Sequence, residues 1–309
     1  MRVLIIGMPH FARKLAGDLA EVDLSNTYVQ LDPSGVFADK IRYVLMLPRA
    51  DLVYMVGGTP NCGGSLRTAL FLRKKIVMHW VGTDVILAQR ALADKSIDVK
   101  LMKRSRHLCE ISWIQKELLD IGIHAKVVPI AGFSRRESDP APFPDKFSIL
   151  SYLGEGREEF YGMEQLISIA EDFPEIELRI AGIRSYSGSV PSNVKLLGWI
   201  SDMARKLQEC VLYLRLTEHD GMSFSVLEAL WEGRYVAYTQ NFEGAIFVPN
   251  YERLKELVQQ LLSEYTAKTL AINKAGVDFV TRNFDKRSIM RNLAEELRSR
   301  HGQNLDQQD

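Results

Sequence analysis

The sequence is short of every feature that would commit it to a bilayer, to nucleic acid or to a metal. Nowhere do about 18 apolar residues follow one another, so no segment reads as a membrane-spanning helix. The apolar run Val3 to Ile6 is too short for the core of a signal peptide. Lys plus Arg and Asp plus Glu both number 39, which removes a global drive toward nucleic acid. The three cysteines, Cys62, Cys109 and Cys210, lack metal-ligand spacing and cannot all pair, so neither a disulfide framework nor a metal site is expected and a reducing cytoplasm fits. A phosphate-cradling G-x-G-x-x-G is missing as well. The strand-like MRVLIIG runs into Met8, Pro9 and His10, so no dinucleotide is placed there and no cofactor is expected.

What is present is an ordinary globular composition, 46% hydrophobic and 25% charged, in a chain of 309 residues that is long for one core and comfortable for two. Short apolar runs alternate with helical periodicity, the pattern of doubly wound α/β domains. Phe133 to Phe147 breaks it with three prolines and mixed charge, which is linker composition. The expected organisation is a first domain over 1–135, a linker over 136–147, a second domain over 148–285, a helix over 286–302 returning to the first domain, and a frayed tail over 303–309. Two such halves imply a cleft between them. Balanced overall, the charge is split: residues 1–145 hold 20 basic and 15 acidic side chains. The basic clusters Arg73, Lys74, Lys75 and Lys100, Lys103, Arg104, Arg106 are either solvated helix faces or a contact with an anionic membrane at its cytoplasmic face.

The densest chemistry lies in Val211 to Thr239, VLYLRLTEHDGMSFSVLEALWEGRYVAYT, which reads as strand, turn, helix and strand. Asp220, Gly221, Met222 and Ser223 form the turn, and Glu228 follows eight positions after Asp220. Two acidic side chains and the free amides of a helix start are thereby gathered at the carboxyl end of a strand, where open α/β sheets bind ligands. A sugar diphosphate offers the anion and the hydroxyls such a site would take. A structural alternative stays open for Glu228, because Ser225-x-x-Glu228 also spells a capping box. In the first half, Gly57 and Gly58 open a glycine-rich loop that suits either a ligand or a simple turn. His79 and Asp84 flank the carboxyl end of KIVMHW; they border a site, or His79 is a satisfied half-buried residue and Asp84 or Thr83 a helix cap.

These residues resemble the retaining GT-B glycosyltransferases of the large group often called family four. DGMSFSVLEAL with EGRYVAYT is similar to the family's E-G-F-G-x-x-x-x-E-A-M and G-x-P-V-V, and HWVGTD, YLGEGREEFYGMEQL and NVKLLGWI support it in order along nearly the whole chain. The resemblance implies an α/β protein of two facing Rossmann-like domains that moves a sugar, with retention and without a metal, from a UDP-, GDP- or ADP-sugar to a glycan, lipid-linked or small-molecule acceptor. It places Glu228 on the ribose hydroxyls, and Asp220, Gly221, Met222, Ser223, Phe224 and Ser225 around the donor sugar and diphosphate. It sets Gly198 and Trp199 beside the base, Arg157 on the phosphates and His79 near the donor sugar. Three departures stand out. Asp220 replaces the usual glutamate, with Glu218 as a neighbour that could substitute; Tyr161 stands where the family has a phosphate-clamping lysine; and the loop after Thr239 is short. A non-catalytic module that binds a nucleotide or a partner enzyme is the competing expectation, and an epimerase on the same double fold a third.

Overall fold

The computed structural model describes residues 1–299 and divides them into two compact units, Met1–Ser134 with the segment from Lys286, and Arg135–Asp285. The tail over 303–309 and the end of the returning helix over 286–302 lie outside the described residues.

In unit 1 short branched and aromatic runs form central strands that are buried on both faces, and most of the helices between them bury one stripe each. The order is β1 (Arg2–Ile6), α1 (Pro9–Val22), β2 (Thr27–Gln30), α2 (Phe37–Met46), β3 (Leu52–Val56), α3 (Gly64–Phe71), β4 (Lys75–Trp80), α4 (Asp84–Ala93), α5 (Val99–Arg104), β5 (Ser105–Cys109), α6 (Ser112–Asp120) and β6 (Ala125–Val127). All pairings are parallel, in the order β2-β1-β3-β4-β5-β6. The chain reverses direction across the sheet at β1 and β3, so their carboxyl ends form a topological switch point. The core joins Leu4, Val53, Met78 and Trp80 to Ala88 and Ile114 of the covering helices.

Unit 2 repeats the plan with β7 (Ser148–Tyr152), α7 (Met163–Asp172), β8 (Glu177–Ala181), β9 (Val194–Gly198), α8 (Met203–Gln208), β10 (Leu212–Arg215), α9 (Phe224–Trp231), β11 (Tyr235–Tyr238), β12 (Ile246–Phe247), α10 (Tyr251–Thr266) and α11 (Lys274–Asn283). Its parallel sheet is ordered β12-β11-β10-β7-β8-β9, so the switch point lies between β7 and β10. Tyr161 and Gly162 fall before the helix that the pattern places near Glu159, which starts only at Met163. Gly162 is left-handed at φ +76°, and a helix cannot run through it.

The helical pattern over 271–300 is two helices, since Phe284 departs from helical dihedrals after α11. The second, α12 (Lys286–Arg298), is part of unit 1: Lys286 pairs with Asp18 at 2.6 Å, Lys126 with Glu296, and Leu293 and Met290 are buried. The 133–147 stretch is irregular as its composition requires, yet it is fastened. Arg234, wholly buried, donates to the carbonyls of Ala141 and Pro142 and lies 5.3 Å from the Phe143 ring.

Candidate functional site

The switch point of unit 2 is bordered by two loops, 153–162 after β7 and 216–223 after β10. The glycine at 162 lets them meet, because a Cβ there would come within 2.6 Å of the Leu216 carbonyl. The Glu218 amide donates to the Phe160 carbonyl at 3.0 Å and joins the loops directly. The loop that carries Arg157 and Tyr161 therefore lies against the loop that carries Glu218, Asp220, Gly221, Met222 and Ser223. Gly198 and Trp199 belong elsewhere in the unit, at the end of edge strand β9, where Trp199 keeps 71% of its surface exposed.

At the centre of the loop pair is a residue that motif reading misses. Arg215, the last residue of β10, is buried, and its Nε donates to Asp220 Oδ2 at 2.6 Å. Burial works against its charge, but the Asp220 carboxylate, with the Tyr213 and Tyr161 hydroxyls, more than offsets this and raises the pKa above that of an ordinary arginine. Its guanidinium lies 4.8 Å from the centre of the Tyr161 ring, and that of Arg157 lies 5.5 Å from the same ring and 4.2 Å from Phe160. Tyr161 is thus an aromatic platform for two cations. The signal was available: an arginine inside the apolar run VLYLRL needs a counterion if the strand is buried.

Asp220 is accordingly held by Arg215 instead of being a second carboxylate symmetric with Glu228. The Tyr238 hydroxyl fixes the turn by donating to the Gly221 carbonyl at 3.2 Å. Behind the helix start, Tyr213 OH and Ser225 Oγ are 2.7 Å apart and Ser225 Oγ is 3.0 Å from Ser223 Oγ. Burial pushes the Tyr213 phenol up to about 12, so it stays neutral.

The capping-box reading of Glu228 is not realised. The N-cap is Ser223, without a side-chain capping bond, and Ser225 is already inside α9 engaged with Tyr213 and Ser223. The helix starts two residues too early for Ser225 to cap it. Phe224 opens α9, and Glu228 stands half-buried one turn further on.

In unit 1, His79 is wholly buried on β4, between β3 and β5, with Tyr54 OH 2.8 Å from its Nδ1. Burial drives its pKa down to about 3, which the backbone of Val128 and Cys109 offsets only in part, so the ring is neutral. The ring is thus wholly buried and not half-buried as the structural alternative has it, and its Nε2 is enclosed without a hydrogen-bond partner among the described residues. Asp84 accepts from the amides of Gly58 (2.5 Å), Val81 (3.0 Å), Gly82 (2.8 Å) and Val85 (3.1 Å), tying two loops together. Gly58 is required by the Trp80 ring, which a Cβ would overlap, and the Gly57 amide donates to the His79 carbonyl at 3.0 Å. These four residues are held by contacts within unit 1.

Unit 1 has its own cavity, an open pocket of about 700 Å³ at the switch point of β1 and β3. Gly7, Met55, the start of α3 at Gly63 to Ser65, and Lys40 and Val44 of α2 line it.

No protein-family model and no curated protein matches the sequence. Solved structures match it in fold. Anabaena HepE, solved with UDP and glucose, aligns over 96% of this chain and 99% of its own with a TM-score of 0.72 at 16% identity. Sucrose-phosphate synthase of Thermosynechococcus elongatus aligns over 96% and 98% with a TM-score of 0.72 at 14% identity. A UDP-N-acetylglucosamine 2-epimerase described from Listeria monocytogenes aligns over 95% and 94%, more loosely, with a TM-score of 0.52 at 14% identity. With two six-stranded parallel sheets flanked by helices, the chain has the two-domain Rossmann-like fold of the GT-B glycosyltransferases.

Proposed function

We propose that the protein is a retaining, metal-independent glycosyltransferase that takes a nucleoside-diphosphate sugar in unit 2. The observation that carries this reading is the meeting of the β7 and β10 loops at the switch point. A helix start with an uncapped N-cap, two arginines and the Glu228 carboxylate lie on those loops and the helix they lead into. Glu228 accepts two hydroxyl hydrogen bonds from the ribose. The first-turn amides of α9, with Arg157, take the diphosphate. HepE, with the same fold, was solved with UDP and glucose, which supports a sugar nucleotide as the ligand.

In the transfer the bond from the anomeric carbon to the diphosphate oxygen breaks and the acceptor hydroxyl oxygen bonds to that carbon. The acceptor proton passes to the leaving phosphate, so no protein nucleophile is needed. Arg215 and Asp220 act as a positioning pair that sets the turn and the Tyr161 platform. The unit 1 pocket has the volume of a small-molecule site and is the place proposed for the acceptor, a glycan, a lipid-linked sugar or a small molecule.

A second reading, a non-catalytic nucleotide-binding module, is favoured by one observation: the only acidic side chain of the turn itself is bound to Arg215. Calorimetry with UDP, GDP and ADP, followed by donor hydrolysis in a chelator, separates the two. Binding with slow hydrolysis is expected of the transferase, binding without turnover supports the module, and no binding sinks both. Glu228→Gln is expected to weaken nucleotide binding by roughly 10- to 100-fold, the loss of about 1.5–3 kcal/mol of charge-assisted bonding. Unchanged affinity would remove the ribose role.

A further inference from the structure

A helix on a protein surface ordinarily turns its apolar stripe to the core and its charges to water. In α2 the arrangement is reversed. Its one fully buried residue is Tyr43, whose hydroxyl donates to the Ser65 carbonyl at 3.0 Å. Phe37 (76% exposed), Ile41 (49%), Val44 (56%) and Leu45 (66%) lie on the opposite side, within about 100° of arc at 3.6 residues per turn. Four large apolar side chains in one helical stripe form a contiguous patch, which monomeric soluble proteins keep small.

Basic residues bracket the stripe. Lys40 lies on one flank and makes no ion pair among the described residues; Arg42 lies on the other, its exposed guanidinium 3.3 Å from Asp39. Unit 1 is positive as a whole, with 22 basic against 14 acidic side chains in its described residues. Val44 and Lys40 also line the 700 Å³ pocket, so the apolar stripe runs into the pocket wall without interruption. By contrast, the clusters singled out by sequence are partly used within the fold. Lys74 donates to the carbonyls of Pro48 and Ala50, and Arg106 to those of Glu296 and Ser299.

The geometry points to α2 as the element that docks this protein on an anionic membrane surface. The stripe enters the boundary between headgroups and acyl chains, Lys40 and Arg42 meet lipid phosphates, and the pocket opens at the edge of the lipid contact. A second copy of the chain fits the same face less well, because a two-fold contact centred on the stripe sets Lys40 and Arg42 against their own equivalents. The inference goes beyond sugar transfer and does not depend on it.

The test is co-sedimentation of the full chain with phosphatidylcholine vesicles, with and without phosphatidylglycerol, beside the double variant Phe37→Ser/Leu45→Ser and Lys40→Glu. Melting curves check that the exposed substitutions leave the fold intact, and UDP calorimetry reads the donor site separately. Expected is binding to the anionic vesicles that weakens with salt, falls roughly tenfold or more in the double variant and falls also in Lys40→Glu. No vesicle binding, or binding that neither variant changes, overturns the assignment. So does a concentration-dependent dimer that the double variant dissolves without any vesicle binding, which would give the face to self-association.

Discussion

At the scale of single residues, the Arg215–Asp220 pair decides the character of the candidate site. Only 9% and 14% of the two side chains are exposed, so removing one partner strands a charge in a poorly solvated place. Arg215→Met is therefore expected to lower stability by about 3–5 kcal/mol, and Arg215→Met/Asp220→Asn to recover much of that loss. Urea unfolding of the single and double variants measures it; a double variant as unstable as the sum of both singles would show that the pair is not a unit. A different residue-scale effect belongs to unit 1. His79 is neutral in the fold, with its pKa lowered from 6.5 to about 3 by burial, and His107 is lowered for the same reason. Trp80 Nε1 can only donate, so His107 Nδ1 accepts from it at 3.0 Å while Nε2–H donates to the Met102 carbonyl at 2.9 Å. Below the unfolded pKa the unfolded chain binds protons that the fold refuses. The stability of unit 1 is then full above about pH 6.5 and falls toward pH 3, by about 1.4 kcal/mol per pH unit for His79. The dependence of unfolding free energy on pH should become shallower in His79→Gln, and an unchanged slope would contradict the burial of a neutral ring.

At the scale of elements, the site is made by loop lengths and by where helices begin. The start of α7 at Met163 rather than near Glu159 leaves Arg157 and Tyr161 in an irregular loop that reaches β10, and Gly162 makes that approach possible. Gly162→Ala places a side chain at φ +76° and against the Leu216 carbonyl. It is expected to cost about 1–3 kcal/mol and, by parting the two loops, to weaken nucleotide binding. A normal melting temperature and normal affinity in this variant would argue against the loop contact. The start of α9 at Phe224 has a similar consequence, since it moves Ser225 inside the helix, where it is not the N-cap of a Ser225-x-x-Glu228 box.

At the scale of the whole molecule, the chain builds unit 1, then unit 2, and then supplies α12 to unit 1. Ile289, Met290, Leu293 and Leu297 are buried there, so a chain ending at residue 285 exposes the apolar surface they cover. Calorimetry of that truncation is expected to show unit 1 melting well below its normal temperature with the unit 2 transition little changed; equal shifts of both would deny α12 its place in unit 1. The α/β class, the two-domain organisation and the strand-turn-helix around Asp220 and Glu228 were legible in the sequence, because periodicity, branched runs and turn residues are local properties of the chain. Elements with weak local signals were not: β2 is four residues with none fully buried, α5 is six residues, and α2 shows its apolar stripe to water. The partners of charges were equally out of reach, since Arg215 and Asp220 meet only when the turn closes, and the burial of His79 depends on the strands on either side of it. Sequence by itself determined the strongly patterned strands and helices and which turn gathers the chemistry. Only the tertiary structure decided which charges pair, which histidine is shut away and which apolar face stays open, because each of those depends on groups brought together from separate parts of the chain.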